Sequence, residues 1–184
     1  VRKSHVVATD DTVLPMLSPG QTRSARMWVY VGDDANPYNV FDFTLNRSRE
    51  GPKEFLKDYT QVLLADAYGG YNGVVAGNAI TRAGCWSHAR RKFVEAEKST
   101  PEIAREAVAL MDALFAVERQ AKDVAVAERL QLRQKQSVLI LAELHRQLLI
   151  WKEQLLPKHP MADAVNYTLG QWETLTVFTT DGAV

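Results

Sequence analysis

The chain has 184 residues with 22 basic and 22 acidic side chains, so its overall charge does not attract a polyanion. Any nucleic-acid site must therefore be a local patch. The single cysteine, Cys85, excludes an internal disulfide, and no apolar run approaches the roughly 20 residues that cross a membrane. We therefore expect an ordinary globular protein of the cytoplasm, with no membrane partner. The sequence reads as part of a longer protein.

The first part of the chain predicts three antiparallel strands. Residues 4–17 contain a short β-type run followed by a stretch that a proline interrupts. The segments 26–33 and 38–45 alternate as strands do, and the first of them is apolar on both faces, which favours an interior position in a sheet. Short turns separate the three segments, as in a meander.

Strands and helices then alternate along the chain. Residues 51–59 carry a proline near their start and predict a short helix. Residues 61–66 predict a fourth strand, 68–77 a turn leading into a short helix, and 79–84 a fifth strand. This alternation favours parallel pairing with helices over the sheet. The predicted fold class is α/β, with a mixed five-stranded sheet of three antiparallel strands and then two parallel ones.

From Cys85 onward the apolar residues recur at helical spacing. We predict helices over 85–98, 101–122, 125–156 and 161–178, each with one apolar stripe. The second half of the chain is therefore expected to be mostly helical, packed on the sheet or on a partner chain. Four residues would form the buried face of the first helix: Trp86, Ala89, Phe93 and Ala96.

Two aspartates follow predicted neighbouring strands of the sheet. Asp10 comes after HVVAT and Asp66 after VLLA, and parallel neighbours that end in this way bring their carboxylates to one edge. Two close carboxylates repel each other unless a cation lies between them or one of them holds a proton. Their oxygens suit Mg²⁺, and two such ions would stabilise the attacking and leaving oxygens of a phosphodiester. The alternative is that Asp66 only caps the helix that follows it.

A zinc site is not supported by the sequence. Cys85 and His88 have the spacing of half a zinc site, but such a site needs about four ligands. There is no second cysteine, and His5, His145 and His159 lack a matching spacing.

Six segments resemble the catalytic region of the insertion-sequence 66 family of bacterial transposases, which are of the DDE type. In chain order they are ATDDTVLPML, RMWVYV, LLADAYGGYN, CWSHARRKF, LRQKQS and WETLTVFTTDG, and they span essentially the whole chain. The resemblance implies a ribonuclease H-like fold, with Asp10 as the first catalytic aspartate and Asp66 as the second. Asp11 stands where the family usually has glutamate. The family's catalytic glutamate belongs to a segment that would follow Val184, so we expect an incomplete active site with little activity alone.

The activity implied by the resemblance is transposition of an insertion sequence. Mg²⁺, or Mn²⁺ as a substitute, would be held by Asp10 and Asp66. A metal-activated water would cut the phosphodiester at the element's end, and the freed 3′-hydroxyl would then attack target DNA. The implied partners are double-stranded DNA, at the element ends and the target, and further copies of the chain in a homo-oligomer. The expected location is the bacterial cytoplasm, in association with the nucleoid.

The predicted helix over 85–98 is implied to contact DNA. Helices with the C-x-x-H pattern lie near the catalytic pocket of DDE transposases, and on this basis His88, Arg90, Arg91 and Lys92 are candidate contacts to DNA phosphates. Phosphate contacts provide affinity and not sequence specificity. The alternative is that these basic residues only form the solvated face of a helix whose other face is packed, without contacting DNA.

The expected organisation is a ribonuclease H-like catalytic core over residues 1–98 and a helical region over 99–184 that serves DNA ends or dimer contacts. Two other functions stay open. One is a different ribonuclease H-like nuclease or junction resolvase, which would cleave DNA without joining strands. The other is an inactive transposase remnant that only binds DNA or a partner.

Overall fold

The chain begins with three consecutive antiparallel strands. The computed structural model, which describes residues 1–184, has β1 over Val6–Ser18, β2 over Gln21–Val31 and β3 over Asn39–Thr44. Strand β2 lies between β1 and β3 and is antiparallel to both. The predicted meander is therefore confirmed, and so is the interior position of its second strand.

Strands β1 and β2 are longer than predicted because they continue together as a hairpin. Their pairing runs as far as Ser18 and Gln21. Gly20 has a φ of 74° in the turn between them, a left-handed conformation that glycine adopts without steric cost. Pro15 lies inside β1, where it is tolerated because β4 pairs with β1 only as far as Ala8. The stretch containing this proline is therefore a strand and not a break.

Helices and strands alternate in the next part of the chain. Helix α1 (Glu50–Phe55), strand β4 (Val62–Ala65), helix α2 (Gly70–Asn78) and strand β5 (Thr81–Gly84) follow in order. The sheet order is β3-β2-β1-β4-β5, and β4 is parallel to β1. This mixed five-stranded sheet confirms the predicted α/β class and is consistent with a ribonuclease H-like fold.

One face of the sheet carries the core of this region. Val7, Trp28, Tyr30 and Leu63 are fully buried there, and α1 and α2 contribute further apolar side chains. Successive side chains of a strand point to opposite faces. Asp10, an odd number of residues from Val7, therefore faces away from this core.

Contacts divide the chain into two compact units, Val1–Ala83 and Gly84–Val184. The second unit is helical, and none of its helices, nor any other in the chain, is both long and apolar enough to cross a membrane. This division by contacts does not test the boundary predicted after residue 98, which separates a catalytic core from a helical region. That boundary stays a prediction. The helices of the second unit are α3 (Trp86–Glu95), α4 (Pro101–Gln120), α5 (Val126–Leu132), α6 (Val138–Gln154), α7 (Pro160–Gly170) and α8 (Trp172–Thr176).

The apolar stripes of α3, α4, α6, α7 and α8 form one core. The face predicted for α3 is buried as expected, with Phe93 and Ala89 fully inaccessible to solvent. The indole of Trp86 donates a hydrogen bond of 2.8 Å to the backbone carbonyl of Leu175, which ties the start of α3 to α8. Such a bond satisfies the one polar group of a buried tryptophan.

The helix predicted over 125–156 is helical without a break from Val126 to Gln154, but it contains a π-helical segment, Arg133–Ser137, between α5 and α6. Arg133 is only 3% exposed, and a buried guanidinium needs partners for its donors. It forms a 2.7 Å ion pair with Glu118. It also donates to three backbone carbonyls near the end of the chain, those of Phe178, Asp181 and Val184.

Candidate active site

The carboxylates of Asp10 and Asp66 lie side by side where β1 and β4 separate. The parallel register pairs Ala8 with Leu64, and extending it by two residues sets Asp10 opposite Asp66. The two side chains offer carboxylate oxygens within 4.8 Å of each other. The structure therefore brings together the two aspartates that the strand order predicted to be neighbours.

Asp10 lies within β1 and not after it, contrary to the prediction. Its backbone pairs with Val29 of β2, so the strand continues on that side. Pairing with β4 has already ended at Ala8. Asp10 therefore lies two residues beyond the last β1–β4 pair. The register of that pairing, and not the end of β1, places Asp10 beside Asp66. One oxygen of its carboxylate accepts a 2.8 Å hydrogen bond from the backbone N–H of Asp11.

Asp66 directly follows β4, which ends at Ala65, as predicted. Its Oδ1 accepts a 3.0 Å hydrogen bond from the backbone N–H of Tyr68 in the turn that follows. Helix α2 begins only at Gly70, its N-cap is Gly69, and no side chain caps it. The alternative that Asp66 caps this helix is therefore wrong, and another reason is needed for a carboxylate at this strand end.

Asp11 is a buried carboxylate held between two arginines. Its side chain is only 1% exposed. Its Oδ2 accepts a 3.0 Å hydrogen bond from Arg26, and its Oδ1 accepts bonds of 3.0 and 2.8 Å from Nε and Nη2 of Arg47. A buried charge is costly unless it is paired and hydrogen-bonded, and here both conditions are met.

Arg47 connects this buried carboxylate to Asp66. Its Nη2, already bonded to Asp11, lies 3.4 Å from Oδ2 of Asp66, and its guanidinium carbon lies 4.3 Å from the ring centroid of Tyr68. Burial opposes the charged form of Arg47, but the hydrogen bonds to Asp11 and the negative charges of Asp11 and Asp66 outweigh it, so the pKa of Arg47 is raised. A fixed positive charge therefore lies beside the pair of aspartates.

An aromatic cluster supports the turn after Asp66. The rings of Tyr68 and Tyr71 meet edge to face at 5.7 Å, and Trp28 lies 6.0 Å from the first and 6.2 Å from the second. A Cβ on Gly70 would come within 2.1 Å of the Tyr68 ring, so the glycine makes room for that ring. The hydroxyl of Tyr71 lies 3.4 Å from that of Thr9, and burial raises its pKa, so it stays neutral.

The donor set fits a hard divalent cation. Carboxylate oxygens are the ligands that Mg²⁺ prefers, and this ion commonly uses only one or two protein carboxylates and keeps several waters. Asp10 and Asp66 supply two such groups at a suitable separation. A sheet in the order β3-β2-β1-β4-β5 with acidic groups paired beside its central strands is consistent with the ribonuclease H-like class of fold.

Comparison with known proteins identifies the family to which this chain belongs. The chain belongs to the Transposase IS66 family, whose family model matches residues 1–184. Three proteins of Sinorhizobium fredii (strain NBRC 101917 / NGR234), each described as uncharacterized, are similar to it. Protein y4hP is 32% identical over 210 residues, covering 99% of this chain and 38% of its own length. Proteins y4qI and y4jD are each 30% identical, covering 100% of this chain and 37% and 39% of their own lengths. The chain therefore spans less than two-fifths of the curated relatives that it matches.

The four predicted DNA contacts all lie on α3, in the second unit. Arg90 forms a bidentate ion pair with Asp112 of α4, with distances of 2.7 and 3.2 Å, and these hydrogen bonds raise the pKa of Arg90. Arg91 and Lys92 are exposed, and His88 is half-buried. The pairing with Asp112 means that Arg90 would have to exchange a carboxylate for a phosphate in order to bind DNA.

Arg47 was missed by the reasoning from sequence, although a signal for it exists. Because β2 is antiparallel to both of its neighbours, β3 runs in the same direction as β1 and β4. The chain that leaves β3 at Thr44 therefore emerges at the same end of the sheet as Asp66, which follows β4. A basic residue three positions later is well placed to meet an acid there.

Proposed function

We propose that this chain carries the first two acids of a DDE-type transposase active site. Asp10 and Asp66 would hold divalent ions for phosphodiester hydrolysis and strand transfer. The observation that supports this most directly is the approach of the two carboxylates to within 4.8 Å, in a member of the Transposase IS66 family. Two negative groups this close favour a cation between them.

The surrounding residues would fix the two carboxylates before any ion arrives. The backbone N–H of Asp11 holds one oxygen of Asp10, and that of Tyr68 holds one oxygen of Asp66. Such hydrogen bonds limit the rotation of each carboxylate and reduce the reorganisation that binding requires. When bound, Mg²⁺ or Mn²⁺ would supply Lewis-acid stabilisation of the attacking and leaving oxygens. A glutamate, the third acid that the family resemblance implies, would complete this set of carboxylates.

The proposed partner is double-stranded DNA at the element ends and the target. Arg91 and Lys92 are exposed on α3 and are proposed to contact phosphates, together with His88 and Arg90. We also propose that the transposase acts as a homo-oligomer when it is bound to DNA.

The metal site can be tested on the chain itself. Binding of Mn²⁺ is measured from the electron paramagnetic resonance signal of the free ion, for wild type and for Asp10→Asn and Asp66→Asn. Because charge count determines the affinity of such sites, we expect each variant to bind about tenfold more weakly. The matched control is Asp58→Asn, which neutralises an exposed aspartate of the same unit. Equal affinity of all four proteins would show that the pair does not bind the ion.

The reaction is tested in a protein of the relatives' length. The assay supplies labelled element ends, target DNA and Mg²⁺, and we expect strand-transfer products that Asp10→Ala or Asp66→Ala abolishes. Cleavage without joining would instead identify a nuclease or resolvase. No reaction even with Mn²⁺, together with DNA binding that is insensitive to both substitutions, would identify an inactive remnant.

A further inference from the structure

A small cavity lies between α1 and α2 in the first unit. Its volume is about 170 Å³, and it is lined by Arg49, Lys53, Gly70, Gly73 and Val74. Both charged residues of this lining are basic. A Cβ on Gly73 would meet no other atom within 4 Å, so the space beside this glycine is open.

The two basic residues are only loosely engaged within the protein. Arg49 lies 3.5 Å and Lys53 lies 3.8 Å from the carboxylate of Glu50, and their side chains are 67% and 62% exposed. Exposed pairs at such distances contribute little to stability. A single carboxylate therefore faces two cations, which leaves a net positive charge at the cavity.

The size of the cavity restricts what can bind in it. Sites for drug-sized ligands and cofactors usually occupy about 300–1,000 Å³. A cavity of about 170 Å³ is too small for a nucleotide, but it can accept a group as small as a phosphate. A guanidinium and an ammonium are the side-chain groups that most often bind phosphate oxygens.

The cavity is connected through the chain to the proposed metal site. The loop that places Arg47 against Asp66 also carries Arg49, two residues further on. On the opposite wall, Gly70 is four residues after Asp66. The two walls of the cavity therefore lie a few residues beyond the ends of β3 and β4, the same strand ends that Arg47 and Asp66 follow.

We propose that this cavity, formed by Arg49 and Lys53 with Gly70 and Gly73, is a binding site for a backbone phosphate of DNA. It would hold a phosphate that flanks the one being cut and would fix the register of the strand at Asp10 and Asp66. This inference rests on the proposed transposase function, to which it adds a DNA contact outside α3.

The test measures DNA binding by the chain through the fluorescence anisotropy of a short labelled duplex over a range of NaCl concentrations. The double variant Arg49→Gln/Lys53→Gln should bind about tenfold more weakly at moderate salt. The magnitude of its slope of log affinity against log salt should fall by about 0.9, because the variant loses one phosphate contact and each such contact contributes about 0.9. Glu50→Gln should have the opposite effect and strengthen binding, because it releases both cations.

The matched control is Lys57→Gln. Lys57 pairs with Glu54 at 3.2 Å, much as Lys53 pairs with Glu50, but it does not line the cavity. The proposal is overturned if the double variant binds like the Lys57 variant, or if wild type binds no more tightly than the double variant. Binding of Mn²⁺ is measured on the same proteins. If the double variant binds DNA like wild type while Asp10→Asn still loses Mn²⁺, the phosphate site is wrong and the metal site stands.

Discussion

Neutralising Asp11 should loosen the sheet beneath the acidic pair. The substitution Asp11→Asn keeps the shape of the side chain but removes a charge that is 1% exposed and accepts three hydrogen bonds from Arg26 and Arg47. Breaking a fully buried ion pair costs about 3–5 kcal/mol. The cost here should be smaller, because the two arginine side chains are 25% and 37% exposed and can turn towards water. Asparagine also retains one acceptor oxygen. We therefore expect a loss of about 2 kcal/mol in the free energy of local unfolding.

Hydrogen exchange followed by mass spectrometry is the appropriate assay, because it reports on β1 and β2 separately from the helical unit. Tryptophan fluorescence would not do so, since of the four tryptophans only Trp28 lies in the first unit. A loss of about 2 kcal/mol corresponds to exchange about 30-fold faster in peptides from these strands. The matched control is Asp42→Asn, because Asp42 lies in the same row of the sheet, across Trp28 from Asp11. Equal exchange rates in the two variants would refute the reasoning that the arginine pairs stabilise this region.

Three further predictions follow from the geometry. Arg47→Gln should tighten Mn²⁺ binding about tenfold, because it removes a positive charge whose Nη2 lies 3.4 Å from Oδ2 of Asp66 and which would repel a divalent ion there. Weaker binding would mean that Arg47 mainly positions Asp66. Ala79→Gly should raise the free energy of unfolding by about 0.5–1 kcal/mol, because Ala79 has a left-handed φ of 53° at the end of α2. Ala76→Gly, within the same helix, should lower the free energy of unfolding by a similar amount. Urea denaturation followed by circular dichroism distinguishes the two variants, and equal effects would contradict the prediction. The hydrogen bonds from Arg90 lower the pKa of Asp112, so the pair stabilises the fold above the unfolded carboxyl pKa and this contribution is lost as pH falls through the folded pKa. Asp112→Asn should remove that acid-dependent loss from thermal melts and, by releasing Arg90, strengthen binding to a DNA duplex; unchanged DNA affinity would argue against Arg90 as a phosphate contact.

The neighbourhood of Asp10 and Asp66 was predictable because it depends on strand order, and strand order was visible in the alternation of apolar runs. When two parallel strands pair, the residues that follow the paired segments lie at the same edge of the sheet, however far apart the two strands are in sequence. The exact position of Asp10 was not predictable, because it depends on where β4 leaves β1 and not on where β1 ends. The part of the β1–β2 hairpin beyond Asp10 is mostly exposed. It therefore needs no alternation of apolar and polar residues that would identify it as a strand in the sequence.

The remaining differences concern charged groups whose partners are distant in sequence. Arg133 lies in a helical pattern and looks like a surface residue, yet it is buried against Glu118 and the end of the chain. Arg47 lies in a polar loop, and its interaction with Asp11 depends on the direction in which β3 leaves the sheet. Periodicity reports which residues are apolar, but it does not report which buried acid a given base will meet.

The β1–β4 register has a consequence for insertions and deletions among relatives. The alignments with the three relatives extend over 200–210 positions, whereas this chain has 184 residues, so those proteins carry additional residues within the aligned region. Lengthening a surface loop costs little. One extra residue between Val7 and Asp10 would turn the carboxylate towards the apolar core. We therefore expect the additional residues to lie in connecting loops and not in the two short segments 6–10 and 62–66, because the lengths of these segments determine how closely Asp10 and Asp66 approach each other.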